Sequence, residues 1–377
     1  MSMPPITIAG AGLAGLTLGR CLTQKGIPSI LLERVSSSLR YNYGITLHPW
    51  AYQPLLNVLQ MDESSFRERL SIDASRGGMG SISADRLLTG VDATPGTFRC
   101  HRGRLEQFLQ EDQDIRWEHT IKEIETTPQK VIVRIQNEQA IESDVLIGTD
   151  GVHSQVRKSL APDIQLKVLP FVVFNGKRRM SLDSFQNTMA PQMQSLSIIQ
   201  CRQEDVALQI AVNQYAATYV DLGYTYSRPA RQNDPLHKPD RPILGATDIP
   251  EEFYAELQEL KDLGQAYKEM FDVTKVREDR VLHFLMRSTL GTEQEIKDLA
   301  DRGVLLVGDA VHAMPLLGGE GGNNAMKDGV DLAEHIAAHG PQGIKTFSSA
   351  RYERWRKGVE QSEQRLAEIH SPAKASL

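Results

Sequence analysis

The chain has 377 residues, 40% hydrophobic and 24% charged, proportions of an ordinary globular protein, and its length points to two domains or one elaborated domain. A formal net charge of -6 gives no electrostatic reason to expect nucleic acid or an anionic membrane as partner. Cys21, Cys100 and Cys201 lie far apart with no CxxC or CxxH pairing, which argues against a disulfide scaffold or structural zinc and suits a reducing compartment.

No apolar run reaches the roughly 18 residues needed to span a bilayer. The opening MSMPPITIAG runs straight into a strand-like segment, without the basic and apolar stretches of a secretion signal. The expectation is a soluble, cytoplasmic protein without a membrane span.

Ile6–Ala9 reads as a short buried strand, followed by Gly10-Ala11-Gly12-Leu13-Ala14-Gly15 and a helical pattern through Leu16, Leu18 and Leu22. A second apolar run, Ser29-Ile30-Leu31-Leu32, ends in Glu33-Arg34. This is GxGxxG between a strand and a helix, with an acid 18 residues after its last glycine. Gly10 permits the turn, Gly12 lets backbone approach a pyrophosphate, and Gly15 lets the helix sit close on the strand. The helix start, with Leu13 and Ala14, supplies N–H groups for the phosphates, and Glu33 is placed to accept ribose hydroxyls. The motif fits NAD(P) and FAD alike.

From about 165 to 290, strand-like runs alternate with polar turns: 169–174, 195–199, 206–211, 217–220 and 281–286. They suit an antiparallel sheet with one face covered by helices, and 249–271 carries the helical spacing for that cover. The stretch Ser227–Pro235, continuing to Pro242, reads as a proline-rich surface excursion.

Val304–Val307 is a further buried strand. Gly308-Asp309 ends it, and Pro315 with Gly318-Gly319-Glu320-Gly321-Gly322 forms a loop that opens a helix at about Asn323. Asp309 would meet the pyrophosphate-ribitol side of a cofactor, and backbone N–H groups of the loop can face an electron-rich ring edge. A nicotinamide cofactor needs no second cradle. FAD does, because its isoalloxazine lies far from the first phosphate turn. The tail from Val330 reads as helices.

These motifs together resemble the class A flavoprotein monooxygenases, which share the fold of para-hydroxybenzoate, phenol and salicylate hydroxylases, and within them the short fungal-type enzymes of secondary metabolism. The likeness rests on Gly10–Gly15, on the Asp144–Arg157 segment containing Asp150-Gly151, and on Gly308–Asn323. Arg102-Gly-Arg-Leu105 resembles the family's Arg-x-x-Leu helix start, where the arginine reaches the flavin. Tyr43-Gly44 through His48 to Trp50 is similar to the segment that passes the flavin ring. Where the family commonly has Gly-Gln-Gly or Gly-Ala-Asn, this chain has Gly319-Glu320-Gly321-Gly322-Asn323.

The resemblance implies an α/β chain: a Rossmann-like FAD-binding domain with an inserted antiparallel β-sheet substrate domain and C-terminal helices. The FAD-binding parts are expected at 1–75, 101–165 and 291–377, and substrate-domain parts at 76–100 and 166–290. It implies non-covalent FAD, held by Gly10, Gly12, Leu13, Ala14, Gly15, Glu33, Arg34, Gly44, Arg102, Asp150, Gly308, Asp309, Pro315, Gly319, Gly321, Gly322 and Asn323.

NAD(P)H would act as a transient reductant, since one dinucleotide fingerprint is present. O2 would add at flavin C4a, and the hydroperoxide would insert one oxygen into an aromatic or polycyclic substrate. The alternative is a FAD-dependent dehydrogenase or reductase on the same scaffold, without oxygen transfer. His48 is the candidate to deprotonate or orient a phenol. Arg178, Arg179 and Tyr224 are candidates to clamp the substrate from the sheet. A histidine fixed in the Pro-Trp turn, and arginines on a solvated face, are the plain structural readings of the same residues. The chain carries no HxxE or HExxH pattern, so no metal is invoked.

Overall fold

The computed structural model describes residues 4–38, 42–82, 95–136, 139–194, 196–318 and 320–371. Strands β1 (Ile6–Ala9) and β2 (Ser29–Leu32) flank the helix Leu13–Gln24, and β3 (Gly44–Leu47) and β4 (Phe98–His101) form an antiparallel ribbon. After β5 (Asp114–Arg116), β6 (Ile121–Thr126), β7 (Val131–Ile135) and β8 (Ala140–Ser143) make a small antiparallel sheet that leads into β9 (Leu146–Gly148). The long strand β10 (Lys167–Ser181) is followed by β11 (Ile198–Gln203), β12 (Val206–Tyr215), β13 (Tyr219–Pro229) and β14 (Arg280–Ser288). The last strand is β15 (Val304–Leu306).

Five of these strands make a parallel sheet in the order β15-β9-β1-β2-β5. Its central strands carry no alternation because both faces are covered: Ile8, Leu146, Ile147, Leu305 and Leu306 are fully buried. Leu13–Gln24 packs on it, and the helix Gly321–His339 packs against Leu13–Gln24. These two helices touch backbone to backbone at Gly329, where a Cβ would lie 2.8 Å from Leu18 N and 2.9 Å from Ala14 O. The helix starts at Gly321, two residues before the expected Asn323, so its first N–H groups belong to side-chain-free residues.

The second sheet is antiparallel, in the order β11-β12-β13-β10-β14. One face holds Phe174, Ile210, Leu222, Tyr224 and Tyr226 in a buried core with Phe253 and Tyr267 of the short helices Glu251–Gln258 and Gln265–Met270. Phe174 is sandwiched there, 3.9 Å from the Phe253 ring centroid and 4.5 Å from that of His283.

The other face presents two cross-strand rows. One reads Gln200, Gln209, Thr225, Asn175, Leu282 and the other Ile198, Ala211, Gly223, Lys177, Arg280. The expected surface excursion at Ser227 begins later than the prolines suggest. Ser227–Pro229 still belongs to β13, and buried Arg228 pairs with Asp234 and, at 2.6 Å, with Glu256, which ties the following loop to the sheet. Among the described residues no helix is long and apolar enough to cross a membrane.

Candidate active site

The first glycine turn follows β1. Gly10 sits at φ +107°, and a Cβ there would lie 2.7 Å from both the Thr149 carbonyl and Asp150 Cα. Gly15 is held tighter: its Cβ would be 2.1 Å from the Gly10 carbonyl oxygen and 2.5 Å from Thr149 Oγ1. That hydroxyl donates to the carbonyls of Ala9 and Gly10. Gly12 has none of the described residues within 4 Å on its Cβ side, so the turn is open where a ligand would approach. Glu33, at the end of β2, accepts from Ala11 N at 2.8 Å and from Val35 N at 3.2 Å. Its buried carboxylate therefore also braces the turn. Arg34 is exposed beside it.

The second turn follows β15. Gly308 has φ +60°, and a Cβ there would press on Ala14 at 3.1 Å and Ala325 at 3.4 Å. Leu13 meets Gly322 in the same way, at 3.2 Å. The two turns, 298 positions apart by number (Gly10 and Gly308), thus stand against each other at one end of the parallel sheet.

Asp328, fully buried on the later helix, locks this arrangement. It accepts from Gly308 N, from His312 Nε2 at 2.5 Å and from Trp355 Nε1 at 3.0 Å. Burial pushes its carboxyl upward, but His312, Trp355 and Arg351 together outweigh that and hold it below the usual carboxylate range. The Asp150 segment joins through Arg157, which donates to the carbonyls of Ala310 and Val152, each at 2.6 Å.

Two carboxyl groups stay underused at this junction. Asp150 Oδ2 accepts from Gln155 N and Val156 N, whereas its buried Oδ1 accepts no hydrogen bond from the described residues. The Asp309 carboxyl faces the cavity and accepts no hydrogen bond from the described residues; burial is the main reason it is pushed up. An orphaned acceptor at each turn, an open Gly12 and a helix that starts on two glycines fit the ribityl, pyrophosphate and ring edges of FAD.

Beyond the turns lies a cavity of about 650 Å³, bounded by Leu13, Asp309, Pro315, Gly321 and Gly322 on one side and the polar rows of the antiparallel sheet on the other. Gly44, Arg102 and His48 line it as well. Gly44 N donates to Asn213 Oδ1 at 3.0 Å, and Arg102 donates to Glu106 at 3.1 Å and to the Tyr43 hydroxyl. Asn323 turns its amide to backbone, accepting from His48 N and donating to the Thr46 carbonyl, so it clamps the late helix to β3. His48 Nδ1 lies 3.3 Å from Thr97 Oγ1, and burial, countered by Glu320, pulls its pKa down. Glu320 points its charge away to Arg365, 3.1 Å off. Gly319 lies outside the described residues.

Arg178 and Tyr224 do not reach this cavity. Strand alternation sends them to the helix-covered face, where Arg178 binds Asp279 at 2.6 Å and the Tyr224 hydroxyl donates to the same carboxylate at 2.8 Å. Arg179 pairs with Asp221 at 2.7 Å and stacks over Tyr219. Polar residues that face the cavity from this sheet include Asn175, Lys177, Gln209, Thr225 and Arg280, with Asn175 Nδ2 donating to Thr225 Oγ1 at 2.9 Å. The signal for them was present: Asn175 and Lys177 are polar residues two apart in a strand otherwise apolar through Phe174.

Comparison with known proteins places this geometry. The FAD binding domain family matches residues 3–362. The FAD-dependent monooxygenase nscC of Neosartorya fischeri is 31% identical, over 98% of this chain and 96% of its own. The FAD-dependent monooxygenase vrtH of Penicillium aethiopicum is 30% identical, over 98% and 93%. Among solved structures, Klebsiella pneumoniae HpxO complexed with FAD and uric acid superposes with a TM-score of 0.71 at 16% identity, covering 99% of this chain and 90% of that one, a likeness of fold.

Proposed function

Since this chain belongs to the FAD binding domain family and is a FAD-dependent monooxygenase, we propose that it uses NAD(P)H and O2 to insert one oxygen atom into an aromatic or polycyclic small molecule, by hydroxylation or epoxidation. The observation that carries this reading is continuity. One cavity runs from Leu13 at the first glycine turn, past Asp309 and Gly321 at the second, to the polar rows of the antiparallel sheet. Its volume would be shared between the flavin ring at the turns and a small molecule at the sheet.

Bound FAD supplies the redox chemistry, passing two electrons from the nicotinamide to O2 so that one oxygen reaches the substrate and the other leaves as water. The chain's own part is to bind, orient and shield. The glycine turns give the phosphates backbone N–H groups, while Glu33 and Asp309 accept hydroxyls. Leu282, Phe284, Leu317 and Pro315 supply apolar wall that excludes water. With its proton on Nδ1 toward Thr97, His48 has a lone pair on Nε2 to take the proton of a substrate hydroxyl, and its lowered pKa keeps it neutral for that task at pH 7.

The experiment is oxygen labelling. Purified yellow protein, screened for compounds that accelerate NADPH consumption, should place one atom from 18O2 in the product. Substrate-dependent turnover giving unlabelled product would instead establish the dehydrogenase alternative.

A further inference from the structure

Arg99 stands on β4 between Phe98 and Cys100, which both turn into the apolar core. Its own side chain turns the other way, to line the cavity, with 7% of the residue exposed. Among the described residues no carboxylate lies within ion-pairing distance of it. Nη1 gives one long hydrogen bond, 3.3 Å, to Thr46 Oγ1, and the buried Nε has no hydrogen-bond partner among the described residues. The fold makes room for this guanidinium, because a Cβ at Gly44 would lie 2.8 Å from Nε.

Among the described residues, buried Arg228 and Arg157 and half-buried Arg178 are treated differently. Arg228 is held by Asp234 and Glu256, Arg178 by Asp279, and Arg157 by two carbonyls. Burial pulls the Arg99 pKa down to about 10, which still leaves it charged at neutral pH. A buried charge without a counter-ion is costly, so such a group ordinarily has its acceptor in the molecule or receives it from a ligand.

A second observation points the same way. Lys177, half-buried, and Arg280, solvent-exposed, are register partners on β10 and β14, on the cavity face, where their charge adds to the local positive potential. Neither has a carboxylate within ion-pairing distance among the described residues; Lys177 donates to the Asn42 carbonyl at 3.1 Å and lies 5.1 Å from the Tyr43 ring centroid. The nearby Asp221 is taken by Arg179. The acids of the cavity sit at its opposite end: Asp309 at the cofactor turn, and Glu320 paired with Arg365. Charge is therefore sorted along the cavity, with uncompensated cations at the substrate end.

We propose that the molecule this enzyme oxygenates carries an ionised oxygen, and that Arg99 is the specificity-determining residue that receives it, with Lys177 and Arg280 drawing it in. The ionised oxygen is a carboxylate, or a phenol or enol held as its anion. The inference rests on the oxygenase reading for what is done to the ligand, but not for what is bound. In the phenolate or enolate case the contact has a chemical consequence, since the anion puts electron density on the ring carbons that an electrophilic oxygen attacks.

The test is a titration of FAD-loaded protein in air without NADPH, read by perturbation of the flavin absorption spectrum. One probe pair is 1-hydroxy-2-naphthoate and 1-hydroxy-2-naphthamide. The other is 1-naphthol and 1-methoxynaphthalene, followed from pH 7 to 10. The wild type should prefer the naphthoate over its amide, or ionised naphthol over its ether, on the order of tenfold or more. The first result identifies a carboxylate as the source, the second a phenolate or enolate. Arg99→Met should abolish the preference while the neutral partner's affinity stays within about threefold. If that variant does not fold, Arg99→Lys carries the test: losing the planar fork should shrink the preference at least about threefold. A wild type that discriminates neither pair, or a preference of unchanged size in the substituted protein, overturns the proposal. Because neither NADPH nor turnover is involved, an unlabelled product in the 18O2 experiment would sink the oxygenase reading without touching this one.

Discussion

Gly12 and Gly15 sit three residues apart in one turn, yet alanine should do different things at each. At Gly15 a Cβ would fall 2.1 Å from the Gly10 carbonyl and 2.5 Å from Thr149 Oγ1, both far inside contact distance, and the first is backbone that cannot rotate away. Gly15→Ala should thus destabilise the protein even without cofactor, by about 1–3 kcal/mol, as other small-to-large changes in packed sites do. The gain of about 1 kcal/mol that alanine brings to a helix interior is too small to hide the larger part of that range. At Gly12 a Cβ meets none of the described residues within 4 Å, and the backbone there is extended, so the FAD-free protein should hardly notice Gly12→Ala.

What that methyl group would meet is a ligand. We expect Gly12→Ala to weaken FAD on the order of 10-fold or more, an effect of about 1.4 kcal/mol. The assay is a pair of measurements on each variant: thermal unfolding of deflavinated protein, and FAD titration by quenching of flavin fluorescence. Wild-type FAD affinity in Gly12→Ala, or a wild-type melting temperature for FAD-free Gly15→Ala, would refute the reasoning.

Other outcomes follow from the same contacts. Asp328→Ala leaves three buried donors unmatched and should cost about 3–5 kcal/mol in chemical denaturation. Since the Asp328 carboxyl is held below its ordinary range, its contribution is present above the unfolded pKa and fades as pH falls through the lower folded one; Asp328→Asn should flatten the acid limb of stability against pH. His48→Gln should lower kcat by roughly 10²–10⁴ with FAD affinity unchanged. In the wild type, with the His48 pKa pulled below 6.5, activity should be lost only as pH falls beneath the usual histidine range. Tyr224→Phe removes a hydrogen bond to Asp279 on the far face of the sheet and should cost about 1 kcal/mol of stability while kcat/KM stays at wild type.

The contrast between Tyr224 and Lys177 shows where sequence stops being informative. Three strands of the parallel sheet (β1, β2 and β15) were legible as short apolar runs, β5 and β9 were not, and the glycine turns were legible because steric need dictates residue type there: only glycine tolerates the approach seen at Gly10 and Gly15. In Leu169–Met180 the apolar run is continuous through Phe174, so which residues share a face depends on pairing with β13 and β14. That pairing sends Arg178 to Asp279 and Lys177 to the cavity. Arg99 is harder still. The sequence analysis did not single it out, because only the partner strand, with Gly44 beneath its Nε, makes it a buried cation. The destination of Glu320 depends on Arg365, 45 residues later and on another helix. Asn323, expected at the flavin, spends its amide on the backbone of Thr46 and His48, a contact 275 or more residues away in sequence.

Amide hydrogen exchange of the purified chain, with and without saturating FAD, addresses directly whether two distant turns hold one cofactor. Peptides covering Gly10–Gly15 and Gly308–Asn323 should both gain protection, at one FAD per chain, while the helix-covered face of the antiparallel sheet stays unchanged. Protection confined to the first turn, or no FAD bound at all, would contradict the account.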